Sequence, residues 1–262
     1  MMLLRESGFT FAGRHCRYDY GMIYAEKDGH PAIPRIRRNE YEIAGMSGTI
    51  LMPGEQWEPI RFEGMLYPAI ERNSQREAQT LIRSVASWLT SAGRNDLIFD
   101  YEPTKLYKAE LSAESKWSIK NWFGGELSVC FEAQPFAYAT AYNSATIEAV
   151  GTGASITVNV STGVAAPFIF EVRNIGGTVM TGLTIGSSIE FAGMALSPGQ
   201  TLTVSCEPPI LATIGQTNAM RYITKFAPIY ASNGPNSVNI RMTYTTSGTN
   251  RTQITARALG RW

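Results

Sequence analysis

Histidine is nearly missing from this 262-residue sequence, with His15 and His30 as its only two, and cysteine is scarce, at Cys16, Cys130 and Cys206. Neither histidine has a partner at HxxxH spacing and no CxxC pair occurs, so the spacings that build zinc sites are lacking. The three cysteines are far apart and odd in number, which favours reduced, buried thiols over a disulfide framework. No GxxxxGK[ST] run occurs, and Gly151-Thr-Gly153 lacks the third glycine and following helix of a dinucleotide fingerprint. Gly45-Met-Ser-Gly48 resembles a nucleophile elbow, but the position that should hold its second glycine is Thr49. It reads as a turn.

Charge of one sign is lacking too. With 23 basic and 22 acidic residues the formal net charge is +1, so no global field recruits nucleic acid, an anionic membrane or an acidic substrate. No apolar run reaches the roughly 18 residues of a membrane span. Met1 to Phe11 carries Arg5 and Glu6 and then alternates, without the apolar stretch of a secretory signal. Synthesis in a cytoplasm without membrane insertion is the expectation.

The charge that is present is unevenly spread. Residues 1–140 hold 16 of the 23 basic and 18 of the 22 acidic groups, and four of the five tryptophans. Beyond about Tyr142 the sequence turns to glycine, serine and threonine between short β-branched runs, such as Ser155-Ile-Thr-Val-Asn-Val160. The change predicts two domains, 1–140 and 141–262.

In the first, Phe9-Thr-Phe11 and the run Tyr18 to Tyr24 around Gly21 alternate like strands. Further strands are predicted at Glu40–Ile43, Gly48–Leu51, Glu58–Tyr67, Asp96–Tyr101, Lys105–Leu111 and Gly125–Glu132. One segment departs from that period. Ser74 with Glu77 forms a capping box, Ala78, Leu81, Ile82, Val85, Ala86 and Leu89 recur at helical spacing, and Gly93 offers a stop. These predict a helix over roughly 75–92, whose stripe needs a sheet to cover it. Burying five or six such side chains contributes on the order of 10 kcal/mol gross.

The second part reads as ten strands from Ala145–Val150 to Gln253–Leu259. Turn chemistry separates them at Gly151–Gly153, Gly176-Gly177, Ser197-Pro-Gly199, Glu207-Pro-Pro209 and Asn233-Gly-Pro235. That is the pattern of a β-sandwich. The predicted class is mainly β: an N-terminal split β-barrel or sandwich with one α-helix, and a C-terminal β-sandwich.

Several motifs come in an order that resembles the distal tail proteins of siphophages. They are Phe9-Thr-Phe11-Ala-Gly13, Asp19-Tyr-Gly21, Arg37-Arg38, Trp57-Glu-Pro-Ile60, Ser87-Trp-Leu89, Asp96 to Asp100, Lys105 to Ala109, and Cys130 to Ala137. In the second half Thr203 to Glu207, Arg221-Tyr-Ile223, the Asn233–Asn236 turn and Thr255 to Trp262 continue it. The resemblance implies a ring-forming belt domain over 1–140 and a galectin-like domain over 141–262. It further implies a homo-hexameric baseplate hub at the virion tail tip, between the tail tube protein and the tail-associated tip protein. Receptor-binding proteins would be held by the outer domain, DNA would only pass through the channel, and no cofactor or metal is implied. The chain has no room for an inserted carbohydrate-binding module.

Arg35, Arg37 and Arg38 form the one basic cluster, a candidate for lining a channel or bridging subunits, with a solvated loop as the plainer reading. Trp117 and Trp122, in a polar stretch, are the better ring-interface aromatics because aromatic side chains dominate interface hot spots. Trp88, beside the helix stripe, reads as core. No catalytic residue is predicted; Asp96, Asp100 and Glu102 are carboxylates around a strand rather than a placed acid/base pair. The competing readings are a non-catalytic carbohydrate-binding module, which the tryptophan-poor second half disfavours, and a cell-wall-degrading enzyme.

Overall fold

The computed structural model describes residues 8–27, 35–37, 40–42, 49–51, 56–69, 74–91, 93–112, 117–119, 125–246 and 248–262. Two compact units divide the chain, Met1–Thr140 and Ala141–Trp262. Both are built chiefly of antiparallel strands, and the mainly-β class stands as read.

The first unit is organised on one eight-stranded sheet. Its order is Arg14–His15, Phe9–Phe11, Asn95–Phe99, Lys105–Leu111, Gly125–Ala139, Ile60–Pro68, Met22–Glu26, with Trp117–Ile119 also paired to Gly125–Ala139. Alternation explains which face is covered: Ile60, Phe62, Leu66 and Leu127, Val129, Phe131, Ala133 are buried, while Arg61, Glu63 and Glu132 between them stay in contact with solvent. Side chains two apart along a strand share a face. The buried face meets the helix Gln75–Leu89.

That helix starts where the capping box placed it. Ser74 Oγ accepts from Glu77 N at 3.3 Å, satisfying one of the orphan amides of the first turn. It ends sooner than Gly93, at Thr90, whose N–H and hydroxyl both reach Ala86 O. Its buried stripe is Val85, Trp88 and Leu89, with Leu81 packed alongside; Ala86 is exposed. The indole of Trp88 lies nearly parallel to Phe9 and Tyr20, at centroid distances of 5.6 and 4.5 Å. Phe9 also meets Tyr24 and Phe131 edge-on at 5.1 and 5.2 Å. Aromatic pairs of this kind contribute about 0.5–1.5 kcal/mol each beyond their buried area. One β-face thus closes on one helix through rings.

The alternating run from Tyr18 to Tyr24 is not one strand. Cys16–Tyr20 is a five-residue helix and only Met22–Glu26 is extended. The reason is local. His15 caps the N-terminus by accepting from Arg17 N and Tyr18 N, Asp19 reaches back to His15 N, and Gly21 closes the C-terminus at φ 64°, where its missing Cβ removes the strain.

The second unit is a sandwich of two antiparallel sheets. One runs Asn143–Val150, Arg251–Ala258, Ala166–Asn174, Thr201–Ser205, Leu211–Ile214, Thr217–Asn218; the other runs Gly153–Val160, Gly234–Tyr244, Met180–Ile185, Ile189–Leu196, Ile223–Phe226. Ile156, Val158, Phe168, Phe170, Ile185, Ile240 and Ile254 from both sheets share one core. Strands bearing such residues alternate with outward serine, threonine and asparagine, as packed antiparallel sheets require. Asn174, fully buried, is satisfied by donating to Thr178 O and Leu196 O and accepting from Gly176 N. The predicted Arg221–Phe226 strand opens instead with a 3-10 turn, Met220–Tyr222, and becomes extended at Ile223.

The C-terminal residues are clamped around one hydroxyl. Thr162 Oγ1 lies 2.5 Å from Val164 O and 2.9 Å from Arg261 O, and accepts from Arg261 N at 3.0 Å. Trp262 packs over Gly163, where a Cβ would stand 2.8 Å from the indole Cδ1.

Candidate assembly interface

Arg35 and Arg37 lie between two neighbouring strands, Met22–Glu26 and Ile60–Pro68. Ile36–Arg37 pairs with Gln56–Trp57, and Glu40–Glu42 pairs with Thr49–Leu51, so the chain runs out and returns antiparallel. Glu58 N donates to Arg35 O at 2.8 Å at the hairpin base, and Arg35 Nε faces Glu58 Oε2 at 3.9 Å. The Arg35 side chain is 84% exposed, so this ion pair contributes under about 1 kcal/mol and leaves the guanidinium free to meet another surface. Trp57 anchors the same base edge-on against Phe136, 6.0 Å between centroids. Arg37 is placed by its backbone in the strand, and Arg38 lies outside the described residues.

Trp117 begins the strand Trp117–Ile119, whose register is Trp117 opposite Leu127 and Ile119 opposite Gly125. Trp122 lies outside the described residues, as do His30 and the Gly45–Gly48 turn. Arg37 and Trp117 therefore lie on separate strand pairs of the first unit. Trp88 is core, 6% exposed.

The one constellation that spacing could not reveal joins His15 to Asp100, 85 residues apart. His15 Nε2 lies 3.0 Å from Asp100 Oδ1, while Nδ1 accepts from Arg17 N at 3.0 Å and Tyr18 N at 3.2 Å. Those partners put the proton of the neutral ring on Nε2, donated to the carboxylate. A Cβ at Gly8 would come within 2.3 Å of Asp100 Oδ2, so the pair needs glycine there. Cys16 is adjacent, and a histidine bound to a carboxylate beside a thiol has the parts of a nucleophilic triad. The geometry uses them differently. Both ring nitrogens are occupied, Cys16 Sγ accepts from Phe9 N at 3.3 Å, and burial pushes the thiol up to about 11. A thiol so held is a poor nucleophile; the set anchors the short helix to the sheet. Asp96, the other carboxylate of that strand, is bound to Lys108. Among the described residues no three His, Cys, Asp or Glu side chains gather at metal-binding distance, and no helix is long and apolar enough to cross a membrane.

Open grooves also occur among the described residues. One, of about 970 Å³, runs between the long helix and the Ala12–Gly21 segment, with Arg14, Asp19, Arg83 and Ser84 around Tyr20 and Trp88. Another, of about 630 Å³, lies in the second unit among Thr184, Glu190, Lys225, Asn239 and Arg241. No aromatic ring lines it, so it has no platform on which a sugar could stack.

No protein-family model matches the sequence, and no curated protein matches it either. The structure does have a counterpart. It superposes on the crystal structure of the SPP1 Dit (gp 19.1) protein with a TM-score of 0.69, covering 97% of this chain and 98% of that one. The fold is that of Dit. Identity over the Dit match is 10%. SPP1 Dit is described as a paradigm of the hub adsorption apparatus of phages infecting Gram-positive bacteria.

Proposed function

We propose that this chain is a non-enzymatic structural hub of the tail of a long-tailed bacteriophage. Its first unit closes with five further copies into a ring between the tail tube protein and the tail-associated tip protein. The second, galectin-like unit holds receptor-binding proteins. The observation that carries this reading is a fold shared with SPP1 Dit over nearly the whole of both chains, since a match to one domain alone would have spoken only for a common β-module.

Ring closure needs one patch on each copy to meet a different patch on the next, with a rotation that closes. The hairpin with Arg35, Arg37 and Arg38 and the strand with Trp117, followed by Trp122, are the proposed contacts. The exposed guanidinium of Arg35 supplies a cation for a neighbour's carboxylate or for the channel wall. A net charge of +1 suits DNA that passes rather than DNA that binds, because binding depends on phosphate neutralisation by many cations. The place of action is then the virion tail tip.

Light scattering of the purified full chain, with electron-microscope images of the same sample, tests the ring. The expected mass is a multiple of six times 28.8 kDa, with annular particles. A strict monomer at high concentration overturns the reading.

A further inference from the structure

We propose that the strand Gly153–Val160 is a pairing edge through which two copies of this chain join antiparallel, about a two-fold axis at Ile156. This contact is in the second unit and is independent of ring closure by the first.

The strand ends its sheet, and among the described residues nothing pairs with its outer side. Met242 N donates to Thr152 O, and the register runs without a break from Gly153 opposite Arg241 to Val160 opposite Gly234. In an antiparallel ladder alternate residues turn their backbone groups to the same side. Thr152, Ala154, Ile156, Val158 and Val160 therefore bond inward to Gly234–Tyr244, and Gly153, Ser155, Thr157 and Asn159 turn their N–H and C=O groups outward.

Proteins ordinarily blunt such an edge with brevity, charge, proline or a bulge. The other sheet ends among the described residues do so. Arg14–His15 and Thr217–Asn218 have two residues each, Met22–Glu26 ends in a carboxylate, Ile223–Phe226 has four residues and Lys225, and Asn143–Val150 carries the Glu148–Arg251 ion pair. Gly153–Val160 has eight residues, no charge, no proline and no bulge. Its sequence is rich in β-branched residues.

A second copy fits this edge because the strand complements itself. Set antiparallel about Ile156, Ser155 faces Thr157 of the second copy and Gly153 faces Asn159, so every outward backbone group is matched. Ile156 and Val158 are already enclosed in their own copy's core, so the join rests on the backbone ladder, while serine, threonine and asparagine stay together on the solvated face. The polar pairing already exists once in the fold, where Thr157 Oγ1 lies 2.7 Å from Ser237 Oγ across the inner ladder. Cross-strand pairs of these types favour pairing.

The test uses the full chain and two double variants at solvent-exposed positions, Ser155→Lys with Thr157→Lys, and Ser155→Glu with Thr157→Glu, with circular dichroism to check folding. In the proposed register each variant sets like charges opposite one another. Light scattering should show the particle mass halved in each variant alone and the full mass regained when the two are mixed. A chain that pairs without forming a ring falls from two copies to one, and a paired ring falls from twelve to six, so the two proposals fail separately. A mass unchanged by the lysine pair, or a mixture that does not regain the parent mass, overturns the edge contact.

Discussion

The indole N–H of Trp88 donates to Phe11 O at 2.7 Å, joining the long helix to a strand 77 residues away. The ring is 6% exposed and the bond is buried. Trp88→Phe keeps most of the apolar area and removes the donor. We expect it to destabilise the first unit by about 1–3 kcal/mol, read as a lowered urea midpoint with unchanged slope. Trp88→Ala should cost about 3–5 kcal/mol.

Tyr24 gives an effect of opposite sign. Its ring lies over Gly64, where a Cβ would come within 2.2 Å of it, and its buried hydroxyl has no hydrogen-bond partner among the described residues. An unpaired buried hydroxyl costs free energy that phenylalanine does not incur. Tyr24→Phe should therefore leave stability unchanged or raise it by up to about 1–2 kcal/mol, and Gly64→Ala should lower it. A loss on Tyr24→Phe in thermal melts would mean that the hydroxyl has a partner.

Alkaline pH should loosen the first unit. Burial pushes the Cys16 thiol up to about 11 from an ordinary 9.0, and burial likewise raises Tyr24, Tyr101 and Tyr107, the last two helped by Glu26 and Glu102. The native state holds protons that the unfolded chain releases. This contribution is whole below about pH 9 and is lost as pH climbs through 11; for fully buried Cys16 it is on the order of 2–3 kcal/mol. Tyrosinate absorbance and near-ultraviolet dichroism, followed together, should change in concert above pH 10. Complete tyrosine ionisation with the dichroism intact would contradict this.

Thr162 should behave as a hydroxyl requirement and not as a shape requirement. Its Oγ1 serves Val164 O, Arg261 O and Arg261 N. Thr162→Val should destabilise the second unit by about 1–3 kcal/mol, Thr162→Ser by less, and proteolysis of the C-terminal residues should accelerate in the valine variant only.

Much of the architecture was legible because local chemistry and tertiary demand agree. Ser74 and Glu77 announced the helix, and the strand Lys105–Leu111 was read to the residue because its ends coincide with changes in period. The Cys16–Tyr20 helix escaped because Tyr18, Tyr20, Met22 and Tyr24 mimic alternation; its signal was His15 with Asp19, a cap built by an unusual residue. The His15–Asp100 pair could not be read from spacing, since only the pairing of Phe9–Phe11 with both Arg14–His15 and Asn95–Phe99 brings the two together. Of the proposed assembly residues, exposure at Arg35 was legible from charge in a turn-rich segment, whereas the anchoring of its strand pair by Trp57 on Phe136 depends on a strand that extends well past the predicted Glu132.

In the second unit the first strand lies beside the last: Asn143 stands opposite Ala258. A folded body whose first and last strands are neighbours completes its own ladder, and the chain enters it from the preceding unit by a single crossing. Exchange of everything from Ala141 onward for another domain would leave the preceding unit's backbone undisturbed, so the second unit can be replaced as a whole without redesigning the first.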